Sequence, residues 1–316
     1  MQSNPDRFQI LALYGGGIKG IFSAAVLAAM EDDLKISVIE HFDLIAGTST
    51  GGIIALALGL GLTPRQILDF YLEEGPAIFA DRFRTGRLRQ FLSAKFSAVP
   101  LADALHRRFG EKRFGDSSNR LVIPEYNLGD DDVYIFRTAH HERLKRDYKV
   151  PAWKVALSTS AAPTYFPCAR EVDELRLVDG GVWANNPSMV AIVEAQGTLG
   201  VSLSAVRLLS IGTSDAIANR SSTLDRGGFW QWRSASIDVI LRGQTLTAVN
   251  QSKFLLGPDH FLRVNPPVPD GVLTLDGTTR GQDLIAKAAH HSRREMPMIE
   301  RMFTGYTAPA FTPIYL

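Results

Sequence analysis

Cysteine is nearly missing. Cys168 stands alone in 316 residues, so no internal disulfide can close, and a reducing, cytoplasmic setting is expected. Charge imbalance is missing too: 34 Lys and Arg against 33 Asp and Glu leave +1, no bulk field for a nucleic-acid polymer. The longest apolar run, Gly52 to Leu62, is far short of the roughly 20 residues that span a bilayer. Met1 to Phe8 is polar, without a basic-then-apolar leader pattern. A protein that is soluble or peripheral to a membrane is expected. There is no internal repeat and no low-complexity tract. Ordinary composition remains, 45% hydrophobic and 21% charged, enough for one large α/β domain or two small ones.

Asp43-Leu-Ile-Ala-Gly-Thr-Ser-Thr-Gly-Gly52 organises the chain. It reads as a strand ending in a G-x-S-x-G turn, with an apolar helix after it. Such a turn holds the serine on a tight bend at the top of a sheet, and its glycines let backbones pass close by. Ser49 is the candidate nucleophile; Gly47, Thr48, Thr50 and Gly51 shape the elbow around it. Upstream, the strand candidate Phe8–Leu13 runs into Tyr14-Gly-Gly-Gly-Ile-Lys-Gly20 and then an Ala-rich helix, Ile21 to Met30. Strand, glycine loop and helix make the βα unit of a parallel sheet. Gly15, Gly17 and Gly20 fit a dinucleotide fingerprint, with Glu40 about 20 residues on. The same loop also reads as a nest of backbone N–H groups for one negative charge, which beside a reactive serine would be a tetrahedral oxyanion. A plain tight turn is the third reading.

Further along, Thr63-Pro-Arg-Gln66 has the cap, proline and glutamine of a helix start, and Pro76 is expected to end that helix. From Asp81 to Arg113 the chain is basic, either a solvated helical face or a platform for phosphate. Arg120–Ile123 and Val133–Phe136 read as strands. Gly129-Asp-Asp-Asp132 between them reads as turn chemistry rather than a metal loop, and His140-His141 as exposed loop. No metal site is expected. A helix over Pro151 to Leu157 runs into small residues holding Ser158 and Ser160, neither in a glycine-flanked turn. Leu175 to Gly181 is a short strand closed by Asp179, with Gly180 and Gly181 directly after it. Strand ends are where α/β sheets place ligands, so Asp179 is the candidate base. Val206–Ile211 and Phe261–Val264 read as strands, Phe229 to Phe254 and Asp283 to Met302 as helices.

Two ways of activating Ser49 remain open. Ser49, Asp179 and His260 follow the Ser–Asp–His order of α/β hydrolases. Alternatively Asp179 takes the serine proton directly, which requires partial desolvation, since a free Asp titrates near 3.9. The loop Gly15 to Gly20, the elbow Gly47 to Gly51 and Asp179-Gly-Gly181 resemble, in order, the three motifs of the patatin-like phospholipases. Thr159 to Phe166 and Asn185-Asn-Pro187 are similar to that family's connecting segments. The resemblance covers residues 8–190. It implies a three-layer α/β sandwich around a mostly parallel sheet, with 191–316 completing the fold, and hydrolysis of fatty-acyl esters of membrane phospholipids by a Ser49–Asp179 dyad. The oxyanion loop would comprise Gly15, Gly16, Gly17, Lys19 and Gly20, with Lys19 a candidate for a lipid phosphate. Tyr14 replaces the Asp or Ser usual before the glycines. The layout also resembles bacterial patatin-like effectors of antiphage signalling, which implies a cyclic dinucleotide activator and no other cofactor. Action at the inner face of the membrane, residues 191–316 as a sensing or lid portion, and a homo-oligomer are further expectations. A catalytically inactive lipid- or nucleotide-binding module is the alternative from another class.

Overall fold

The computed structural model describes residues 6–80, 94–217, 220–269, 276–277 and 280–316. The strands are β1 (Phe8–Leu13), β2 (Leu44–Gly47), β3 (Arg120–Asn127), β4 (Asp132–Arg137), β5 (Leu177–Asp179), β6 (Val206–Ile211), β7 (Asp215–Ile217), β8 (Phe261–Val264) and β9 (Pro267–Pro269). The helices are α1 (Gly20–Leu34), α2 (Thr50–Gly59), α3 (Pro64–Ile78), α4 (Val99–Phe109), α5 (Ala152–Thr159), α6 (Gly181–Ala184), α7 (Ser188–Val193), α8 (Phe229–Leu256) and α9 (Gly281–Ile299).

The main sheet runs β4-β3-β2-β1-β6-β8, with β5 also on β3; β7 and β9 pair separately. Neighbours among β3, β2, β1, β6 and β8 are parallel, while β4 and β5 run antiparallel to β3. Strands buried on both faces need apolar side chains at nearly every position, and β1 is buried throughout. Leu11, Leu13, Ile45, Ile123 and Ile211 pack on one side with α1 to α5 and α9. Ile10, Ala12, Leu44, Val122 and Leu208 pack on the other with α7 and the C-terminal end of α8. Helices, sheet, helices: this is the expected three-layer α/β sandwich. Every residue of α2 is buried, so it is apolar all round rather than amphipathic.

Pairing with β3 positions the site. β4 occupies one edge of β3 from Val122 to Asn127. On the other edge β2 pairs with Arg120 to Val122 and β5 with Glu125 to Asn127. The parallel β2 and the antiparallel β5 therefore run toward each other along one edge. Gly47 and Asp179 end at the gap between them, opposite Pro124.

The helix starting at Thr63 carries the expected capping box but passes through Pro76 to Ile78. A proline so near the end removes only one intrahelical bond, and Phe79 N–H still reaches the Gly75 carbonyl at 3.1 Å.

Candidate active site

Ser49 sits between β2 and α2 at φ 56°, ψ −125°, a left-handed strain that a non-glycine residue holds only where its surroundings enforce it. The enforcement is visible. Ser49 N–H donates to Thr159 Oγ1 at 3.0 Å, Gly51 N–H to the Thr48 carbonyl at 2.8 Å, and Thr48 Oγ1 to the Ala184 carbonyl at 2.7 Å. Thr50 Oγ1 meets the Tyr71 hydroxyl at 2.5 Å. A Cβ on Gly51 would lie 2.2 Å from the Leu13 carbonyl oxygen, and one on Gly47 2.1 Å from that of Gly51. The elbow needs glycine at both places because backbones cross there.

Across the gap, Asp179 is almost fully buried. Its Oδ1 accepts from Gly181 N–H at 2.7 Å, and its own N–H donates to the Ala161 carbonyl at 3.1 Å. A Cβ on Gly180 would meet the Pro124 carbonyl oxygen at 2.1 Å, so Gly180 lets the turn close on β3. Burial pushes the Asp179 carboxyl up to about 6, against the opposing pull of the neighbouring Ser49 hydroxyl and the Gly181 N–H. The two motifs, 130 positions apart in the sequence, meet directly.

The glycine loop borders the pair, since a Cβ on Gly15 would come 3.2 Å from Ser49 Cβ. One member departs from the expected cradle: Gly15 N–H is committed to the Asn185 carbonyl at 3.0 Å. The amides of Gly16 and Gly17 have no such bond among the described residues. Gly17 takes φ 57°, which glycine adopts without strain. Gly20 is a packing glycine, its Cβ position 2.1 Å from Thr50 Oγ1. Lys19 is half-buried, its Nζ 3.5 Å from the Ser214 carbonyl.

Several residues not singled out by motif hold this arrangement. The Tyr14 hydroxyl is a buried hub, with Asn186 Nδ2 at 2.9 Å, Ser210 Oγ at 2.8 Å and Arg263 Nε at 3.2 Å. It ties β1 to β6 and to the Asn185-Asn-Pro187 segment, so it takes a structural place in the loop. From α8, Gln244 accepts from Asn185 N–H at 3.1 Å and donates to the Gly181 carbonyl at 2.9 Å. Glu125 lies directly opposite Asp179 in register. It accepts from Ser158 Oγ at 2.7 Å, and its Oε2 has no partner among the described residues. Full burial pushes its pKa well up, helped by the charge of Asp179. Its charge is disfavoured beside the candidate base. Among these, Tyr14, the doubled asparagine and Ser158 stand out in the sequence; Gln244 and Glu125 carry no such signal.

The other residues considered take these places. His260 precedes β8, at the sheet edge opposite the ends of β2 and β5, and its Nδ1 faces Arg207 Nη1 at 3.0 Å; it cannot complete a triad here. Glu40 lies just before β2, at that same far edge, which removes the acid a dinucleotide fingerprint requires. His140 is buried against Glu194 at 2.9 Å rather than exposed. Ser158 and Ser160 are buried and bonded within α5 and to Glu125. The 129–132 turn uses its carboxylates on Asn127 and Tyr126. Residues 81–93 of the basic stretch lie outside the described residues; of the rest, Arg107 pairs with Glu74 and Lys95 with Asp276.

A family model described as patatin-like phospholipase matches residues 11–192. The chain belongs to the patatin-like phospholipase family. As a family member it is a lipid acyl hydrolase. It is 33% identical over 316 residues to a cGAMP-activated phospholipase of Pseudomonas aeruginosa, covering 98% of this chain and 94% of that protein. It is 35% identical over 224 residues to a cGAMP-activated phospholipase of Escherichia coli, covering 66% of this chain and 62% of that protein. Among solved structures it is similar to VipD from Legionella pneumophila, at a TM-score of 0.43 and 13% identity, over 90% of this chain and 67% of that chain. Among the described residues no helix is long and apolar enough to cross a membrane.

Proposed function

We propose that this phospholipase family member cleaves fatty-acyl esters of membrane phospholipids through a Ser49–Asp179 dyad, and that a cyclic dinucleotide switches it on in antiphage defence. The observation that carries the reading is the juxtaposition of the Ser49 hydroxyl with a buried carboxyl pushed up to about 6. At neutral pH about nine in ten such carboxylates are ionised and able to accept, with far more proton affinity than a free Asp. Ser49 Oγ attacks the ester carbonyl as its proton passes to Asp179. The oxyanion is received by the amides of Gly16 and Gly17, each well-placed donor contributing roughly 3–4 kcal/mol. The tetrahedral adduct collapses, and the leaving alcohol takes the proton from Asp179. Water, deprotonated by Asp179, then hydrolyses the acyl-serine.

Two surfaces suit a lipid substrate. A cavity of about 540 Å³ beside β5 is lined by apolar groups including Phe166, Val178, Val182 and Trp183, a fit for an acyl chain. Phe229 and Trp230, 76% and 71% exposed, open α8 next to the exposed Arg226. Aromatic rings with basic neighbours favour a lipid–water boundary, and we assign this end of α8 to peripheral contact at the cytoplasmic face. Nucleotide activation is supported by the relatives' names, and residues 191–316 are the proposed sensing or lid portion, since α8 grips Asn185 and Gly181 through Gln244.

The test is fluorophosphonate labelling and phospholipid vesicle hydrolysis, with and without cyclic dinucleotides. Labelling confined to Ser49, lost in Ser49→Ala, and hydrolysis raised by one nucleotide are expected. Labelling elsewhere would overturn the dyad; hydrolysis indifferent to every nucleotide would overturn the activation.

A further inference from the structure

The sheet edge opposite Ser49 carries a second concave site. A cavity of about 260 Å³ is lined by Arg7, Arg207, Arg301, Asp259 and Met302. Arg7 directly precedes β1, Arg207 lies near the start of β6, Asp259 precedes β8, and Arg301 follows α9. Three distant parts of the chain therefore bring guanidinium groups to one hollow.

The contacts of these arginines are with neutral groups. Arg7 donates to Gln9 Oε1 at 2.6 Å and to the Met302 carbonyl, and lies over the Tyr306 ring at 5.4 Å. Arg207 donates to the carbonyls of Ser204 and Val206 at 3.0 and 3.2 Å and to His260 Nδ1 at 3.0 Å. Arg301 reaches the Met298 sulfur at 2.8 Å. Among the described residues no carboxylate forms an ion pair with any of the three. The positive charges act on one another: burial and then Arg7 lower the Arg207 pKa, and burial and then Arg207 hold His260 below its ordinary value. Three guanidinium groups held together with the single carboxylate of Asp259, and partly withdrawn from water, leave a net positive charge that an incoming anion offsets.

We propose that this hollow is a phosphate-binding site, separate from the Ser49 site, that takes a phosphodiester of the nucleotide activator. The nucleotide assignment rests on the proposed activation. Guanidinium forks match phosphate oxygens in pairs. The volume is below the range of about 300–1,000 Å³ that encloses a whole small ligand, so one phosphate and its adjoining sugar enter while the remainder lies across the rim. A lipid headgroup offers the same phosphodiester chemistry, and the experiment separates the two sources.

Calorimetric titration of the full chain carrying Ser49→Ala, which prevents turnover, would use cyclic GMP–AMP, inorganic phosphate and phosphatidylglycerol vesicles as probes. Each would be repeated with Arg207→Gln and with Arg301→Glu. Arg301 is exposed, so its reversal keeps the test valid if the half-buried Arg207 variant does not fold. Binding of cyclic GMP–AMP with a Kd at least tenfold weaker in Arg301→Glu, and weaker again at high salt, is the expected result. An unchanged Kd, no binding of any probe, or binding of vesicles alone would overturn the assignment. Fluorophosphonate labelling of the wild type is scored separately, so a failed hydrolase reading is told apart from a failed phosphate site.

Discussion

Replacing Asp179 by Asn should abolish hydrolysis while making the fold more stable. Burial raises this carboxyl from 3.8 to about 6, so the native state holds its proton more tightly than the unfolded chain does. Stability from this group is fullest below the unfolded pKa and declines as pH rises through about 6, because the unfolded chain ionises more readily. The shift of about 2 units corresponds to roughly 3 kcal/mol of destabilisation once both states are ionised. Asn carries no charge and escapes that loss. Its Oδ1 can keep the bond from Gly181 N–H, and its amide can donate to Ser49 Oγ, so packing is conserved while the proton acceptor is gone. Urea unfolding of both proteins at about pH 4, 6 and 8 reads the difference. The gap should be small at the lowest pH and reach roughly 3 kcal/mol in favour of Asn at the highest. A gap independent of pH, or a less stable Asn variant near pH 8, would refute the account of Asp179 as a strained buried base. Wild-type labelling of Ser49 should slow correspondingly as pH falls below about 6.

Other outcomes follow from the same geometry. Gly16→Ala would place a Cβ 2.2 Å from Thr213 Oγ1, displacing the loop; kcat should fall by about 10²–10³ with little change in KM, measured on a soluble ester. Thr159→Val removes the acceptor for the buried Ser49 N–H and should cost about 1–3 kcal/mol in thermal unfolding. Phe229→Ser with Trp230→Ser should weaken vesicle binding roughly tenfold or more in a sedimentation assay.

How much of this was visible in the residues depends on how far apart the interacting groups lie. β1, β2 and β6 are short, mostly apolar runs, β1 and β2 leading into glycine-rich turns, and both candidate-site segments are local: the elbow around Ser49 and the strand end at Asp179. Pairing distant segments was the harder step. His140 reads as loop because its partner Glu194 lies 54 positions away. Tyr14 reads as an oddity before the glycines because Ser210 and Arg263, which its hydroxyl meets, arrive with β6 and β8. Gly15 looks like an oxyanion donor until Asn185 claims its amide. The grip of α8 was illegible for another reason. From Phe229 to Gly243 no described residue of that helix is buried, and only from Thr245 does a buried face begin, at Thr245, Ala248, Ser252 and Leu256. Its pattern therefore does not announce where it docks.

The convergence of β2 and β5 on β3 bears on how the chain is made. A ribosome delivers the serine early and the aspartate much later. Until translation has passed Asp179 and the last short strand has docked, a growing polypeptide holds a hydroxyl with nothing to activate it. On the proposed dyad, a product truncated before that point has no base for Ser49, so the order of synthesis itself keeps an unfinished chain inactive.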